Sequence, residues 1–121
     1  MKRSRILMLV LLVTMAITFP AQAGVRQASG KVTFLRVHSV GTGFGPPNDF
    51  LDVEVVIGLD SLPGRAFGFQ LRNDATGLAQ QGMLNLLREA YTYNWTVTID
   101  YDEINPSRRN SMLFRVWVAK Y

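Results

Sequence analysis

Five short segments of this chain carry apolar residues at strand spacing, and one segment between the third and fourth carries them at helical spacing. In residues 50–59, Leu51, Val53, Val55, Ile57 and Leu59 face one way, against Asp52, Glu54, Val56 and Gly58. A two-residue period belongs to a strand with one buried face. Residues 95–101 repeat it, with Trp95, Val97, Ile99 and Tyr101 against Thr96, Thr98 and Asp100. Residues 112–119 do so again, placing Met112, Phe114, Val116 and Val118 inward and Leu113, Arg115 and Trp117 outward. Residues 31–40 predict a first strand with apolar residues on both faces, and residues 66–71 a short third strand with Phe67, Phe69 and Leu71 on one face. Asn73 or Asp74 is placed to cap a helix running to about Tyr93, which Asn94 can end. Its apolar face is Ala79, Met83, Leu86, Leu87, Ala90 and Tyr91.

Five strands with one helix between the third and fourth is the element order of the OB-fold, a mainly β, five-stranded Greek-key barrel whose helix plugs one end. An open α+β sheet with the helix on one face satisfies the same order, because periodicity gives elements but not closure.

Residues 1–23 read as a signal peptide. Lys2, Arg3 and Arg5 precede an apolar stretch from Ile6 to Phe19, Pro20 breaks it, and Ala21-Gln22-Ala23 is a small-x-small cleavage site. That stretch spans about 21 Å as a helix, short of a hydrocarbon core of roughly 30 Å. Residues 24–121 are then expected as one exported OB-fold domain, periplasmic or secreted, with no membrane span once the leader is gone. The leader also explains the charge. It holds three of the 13 basic residues, which leaves ten against nine acidic ones. A net charge near +1 gives no electrostatic footprint for nucleic acid.

The chain has no cysteine, which excludes disulfides, thiolate metal sites, a cysteine nucleophile and a lipoprotein anchor. His38 is the only histidine, so a histidine zinc site cannot be assembled and no Ser–His–Asp triad has its serine in a nucleophile-elbow context. Gly41, Gly43 and Gly45 imitate a phosphate-binding loop, but Pro46-Pro47 forbids the helix such a loop needs. Asp100, Asp102 and Glu103 cluster where a strand meets a loop, and Arg108-Arg109 form a basic pair; both read as solvated surface. The expectation is a non-enzymatic protein with no cofactor and no metal.

Binding is the remaining class. Phe34 or Leu35, Val56, Leu113 and Trp117 exceed what one buried face per strand requires, which predicts subunit contacts or packing under the long loops. Ser29, Tyr101 and Thr33 are polar groups at strand ends, and sugar sites combine an aromatic face with short hydroxyl groups.

Ala28-Ser29-Gly30-Lys31-Val32-Thr33, followed by Val37-His38, resembles the first strand of the B subunits of subtilase cytotoxin and of typhoid- and pertussis-like toxins. The run from Leu86 to Tyr93 and the strand Val97-Thr98-Ile99-Asp100-Tyr101-Asp102 look like that family's helix and following strand. The resemblance implies an OB-fold, a homopentamer, binding of sialylated glycans and an enzymatic A subunit as partner. It implies that Ser29 meets the sugar carboxylate and that Tyr101 shapes the same pocket. Gly30 would let the ligand approach the backbone. The chain departs from the family in lacking the cysteines of its usual disulfide. A stand-alone exported OB-fold protein that binds a protein partner in the cell envelope is the alternative.

Overall fold

A computed structural model describes residues 24–120; the expected leader lies outside the described residues. The elements are β1 (Gly24–Val37), a turn of 3-10 helix (Pro47–Asp49), β2 (Val55–Leu59), β3 (Ala66–Phe69), α1 (Gly77–Tyr93), β4 (Thr96–Glu103) and β5 (Asn110–Trp117). The strands close into a barrel in the order β1-β2-β3-β5-β4. β1 runs antiparallel to both β2 and β4, and the barrel's parallel contact is β3 beside β5. This is the OB-fold, and closure excludes the open sheet.

β1 begins seven residues before the expected start at Lys31, so Ser29 and Gly30 lie within the strand and not ahead of it. Residues from Gly24 to Lys31 pair with β4, and those from Val32 onward pair with β2. A bulge at Thr33 separates the two stretches and bends the strand between its partners. The upstream half has no apolar stripe, because its core-facing positions include the small residues Ala28 and Gly30. Its strand state comes from the β4 ladder, a long-range partner that local periodicity cannot reveal.

β2 is shorter than the alternation over 50–59 predicts. Val55, Ile57 and Leu59 enter the barrel core, whereas Leu51 and Val53 pack with Val56 and Ala66 in a second cluster outside it. Leu51 pairs instead with Phe44, which draws the glycine-rich loop over that cluster. Gly41, Gly43 and Gly45 all have positive φ, so this loop is a set of tight reversals that only glycine makes cheaply.

Two further expectations are corrected. The first turn of α1 has Thr76 at its N-cap without a side-chain cap, while Asp74 accepts hydrogen bonds from the Thr76 N–H and hydroxyl at 2.8 and 2.6 Å. Asp74 thus fixes the turn before the helix, and those bonds hold its carboxyl below its ordinary pKa. On the helix, Leu87 and Ala90 are buried and Met83 and Leu84 pack against the barrel core; Ala79 and Tyr91 are exposed. Asn94 ends α1 in the left-handed conformation, its N–H bonded to Ala90 O.

In β5 the inward and outward sets exchange at one point. Asp100 pairs with Arg115 but Tyr101 pairs with Leu113, so Phe114 is the extra residue of a bulge. Leu113 is therefore buried at 2 % exposure and Phe114 lies 42 % exposed, the reverse of the uninterrupted alternation. Val116 keeps its inward place, and Arg115 and Trp117 their outward ones.

The apolar excess is mostly absorbed within the chain. Leu35 and Leu113 belong to the barrel core, while Phe34 and Val56 pack in the second cluster with Phe44 and Met112. Of that set only Trp117 stands outside both clusters.

Candidate functional site

The outward faces of β1, β4 and β5 are laid out in cross-strand rungs, two of them adjacent. One is Ser29–Thr98–Trp117 and the other Gln27–Asp100–Arg115. The first rung carries two hydroxyls and an indole and no charge. Ser29 Oγ and Thr98 Oγ1 are 2.7 Å apart and hydrogen-bonded. Each hydroxyl has one donor and two acceptor lone pairs, so the pair keeps donor and acceptor capacity for a ligand.

In the second rung, Gln27 Nε2 donates to Asp100 Oδ1 at 2.9 Å and Arg115 Nη1 to Asp100 Oδ2 at 3.0 Å. Asp100 points outward yet is only 5 % exposed, covered by these two partners. Arg115 balances its charge, and among the described residues no donor is bonded to the Gln27 amide oxygen.

A groove of about 430 Å³ runs over the first rung and reaches Gln27 of the second, lined by Gln27, Ser29, Thr96, Thr98, Trp117 and Ala119. No lining residue is charged. A second depression of about 530 Å³ adjoins it, lined by Trp95, Thr96, Val118, Ala119 and Lys120. A flat aromatic ring beside uncharged groups that both donate and accept is the chemistry that reads a polyhydroxylated ring: the indole covers its C–H face and the polar groups its hydroxyls.

Of the three expected site residues, only Ser29 lines the groove. Gly30 is turned the other way. A Cβ there would meet Asp60 Oδ1 at 2.5 Å and Ser61 Oγ at 2.8 Å, and the Lys31 N–H donates to the same Asp60 oxygen. The space beside Gly30 thus receives the β2–β3 turn. Tyr101 lies on the inner face of β4, 5 % exposed, its ring 4.8 Å from Phe67 and its hydroxyl accepting from Arg65 Nη1 at 3.3 Å. Strand alternation separates it from Thr98 and Asp100.

The structure brings Ser29 together with Gln27, Thr96, Thr98 and Trp117, none of which the resemblance designates. Their outward parity on β4 and β5 is legible in the sequence. The missing signal is the extension of β1, which sets Gln27 and Ser29 against β4.

The other polar features have local roles. His38 Nδ1 lies 3.0 Å from Gly43 O at the start of the glycine-rich loop. Arg108 pairs with Asp49 at 3.0 Å and so ties that loop to the β4–β5 connection. Burial pushes the Asp49 carboxyl up, but hydrogen bonds from the Arg108 side chain and the Arg109 and Asn110 N–H groups, with the Arg108 charge, outweigh it and hold the pKa below the usual carboxylate value. Arg26 pairs with Glu103. Among the described residues, no group of three or more His, Cys, Asp or Glu side chains is placed to hold a metal ion, and no helix is long and apolar enough to cross a membrane.

Comparison with protein-family models, curated proteins and solved structures finds no match to this chain.

Proposed function

We propose that this protein is an exported, non-enzymatic subunit that binds glycans through the outer face of β1, β4 and β5. The observation that carries the reading is the uncharged groove in which the Ser29–Thr98 hydroxyl pair lies across from Trp117. The resemblance to toxin B subunits supports the same class, and extends the proposal to a homopentamer that carries an enzymatic A subunit. Within this reading Ser29 and Thr98 bond sugar hydroxyls or a sugar carboxylate, Gln27 orients the ring, and Trp117 stacks on it.

A glycan array with the purified protein tests the proposal, repeated with Ser29→Ala and Trp117→Ala. Loss of one hydrogen bond predicts a roughly two- to tenfold weakening for Ser29→Ala. Loss of the stacking platform predicts at least a comparable one for Trp117→Ala. An array blank for the parent, or variants that bind as well as it does, would sink the site. Light scattering tests the assembly: a monomer removes the ring and leaves only the binding module. The stand-alone envelope protein then becomes the better account, with the exposed Tyr91, Tyr93 and Trp95 as its partner surface.

A further inference from the structure

The two depressions on the outer face are contiguous, since Thr96 and Ala119 line both. Each contains one indole, Trp117 in the first and Trp95 in the second. We infer that the cleft accommodates a glycan of at least two sugar units, with Trp95 as the platform for the second. This rests on the glycan-binding reading of the first groove.

Trp95 is built into place. Asn94 reverses the chain at the end of α1, and the Trp95 N–H donates to Ala90 O at 2.9 Å. The indole stacks on Tyr93 with ring centres 5.6 Å apart and planes 27° from parallel. Both rings keep part of their surface in water, Trp95 at 41 % and Tyr93 at 66 % exposure. A pre-stacked ring loses little rotamer freedom when a ligand lands on it, which removes that part of the cost of binding.

The polar groups divide unequally between the two depressions. The first has two threonines, Ser29 and Gln27 to read hydroxyls. The second has only Thr96 and the Lys120 ammonium, beside Val118 and Ala119. It can grip a sugar ring by stacking but offers few contacts to select one alone. Its contribution is therefore to extend a ligand already anchored at Ser29, Thr98 and Trp117.

Calorimetric titration of the purified protein with galactose, lactose and sialyllactose tests the inference. Affinity should rise from galactose to lactose, and Trp95→Ala should erase that rise, roughly five- to tenfold, while leaving galactose binding unchanged. Trp95→Phe keeps a ring and should retain most of the gain, which separates stacking from damage to the fold. Equal affinity for galactose and lactose in the parent overturns the two-unit cleft and leaves the first groove standing. A Trp95→Ala variant that weakens galactose as much as lactose also overturns it. Failure of all three sugars to bind at millimolar concentration overturns the inference for galactosides, and a blank glycan array overturns the glycan-binding reading itself and the inference with it.

Discussion

The inward placement of Tyr101 makes a prediction opposite to the one implied by a resemblance to toxin B subunits. In this barrel its hydroxyl is a core acceptor for Arg65 and does not face the groove. Tyr101→Phe removes one hydrogen bond and no packing, because the ring stays against Phe67. Net contributions run about 0.5–1.5 kcal/mol for ordinary hydrogen bonds and about 1.5–3 for those to charged groups. At 3.3 Å this one is long, and the guanidinium keeps its bond to Ser111 Oγ at 3.2 Å. Among the described residues the buried Arg65 Nε has no acceptor, so none is spare to take over. The balance is a loss of about 1–1.5 kcal/mol, which lowers the Tm of a domain this size by about 5–10 °C. Tyr101→Ala also removes the ring and should cost about 3–5 kcal/mol. Urea unfolding followed by tryptophan fluorescence gives the stabilities, and sugar titration of the same samples gives the affinities. The expected result for Tyr101→Phe is a lower midpoint with unchanged sugar affinity. A parental midpoint combined with weakened sugar binding would refute the reasoning, since the hydroxyl would then have to reach the ligand.

The bulge in β5 separates two neighbouring apolar residues: Leu113→Ala should cost about 2–5 kcal/mol in urea unfolding and Phe114→Ala less than about 1 kcal/mol, and equal effects would mean that the alternation runs on unbroken. Asp49 predicts an acid-sensitive contact. Because its folded pKa lies below the unfolded value near 3.9, its contribution is present above that value and is lost as pH falls through the folded pKa. The Tm gap between the parent and Asp49→Asn should therefore be open at pH 6 and narrow below about pH 4; a gap constant down to pH 2.5 would show that the charge of Asp49 plays no part.

Much of the barrel is visible in local sequence because most of its strands have one buried face. The stripes Val97-Ile99-Tyr101 and Phe67-Phe69 announce their own faces, and the helix between β3 and β4 fixes the order. Local pattern fails where the chain changes partner. Gly24 to Gly30 is a strand because β4 lies beside it, and its side chains say little. Leu51 and Val53 continue the period of Val55 and Ile57, yet they serve a different cluster, because the glycine-rich loop folds over them through the Phe44–Leu51 pair. A bulge is equally silent. Nothing in the run from Met112 to Trp117 marks Phe114 as the residue without an opposite number.

The same limit explains why the groove was only partly legible. Thr96, Thr98, Arg115 and Trp117 declare themselves outward by parity, and a binding face needs no more than that from each strand. What assembles a site is the rung: which outward residue of β1 meets which outward residue of β4, and which of β5 lies beyond. The bulge at Phe114 decides the second meeting. Carried without a break from the Leu113–Tyr101 pair, the antiparallel register would set Phe114 against Asp100, Val116 against Thr98 and Trp117 against Val97. The extra residue shifts Trp117 by one, opposite Thr98 and in line with Ser29. The irregularity that misleads the reading of β5 is thus what aligns an indole with two hydroxyls.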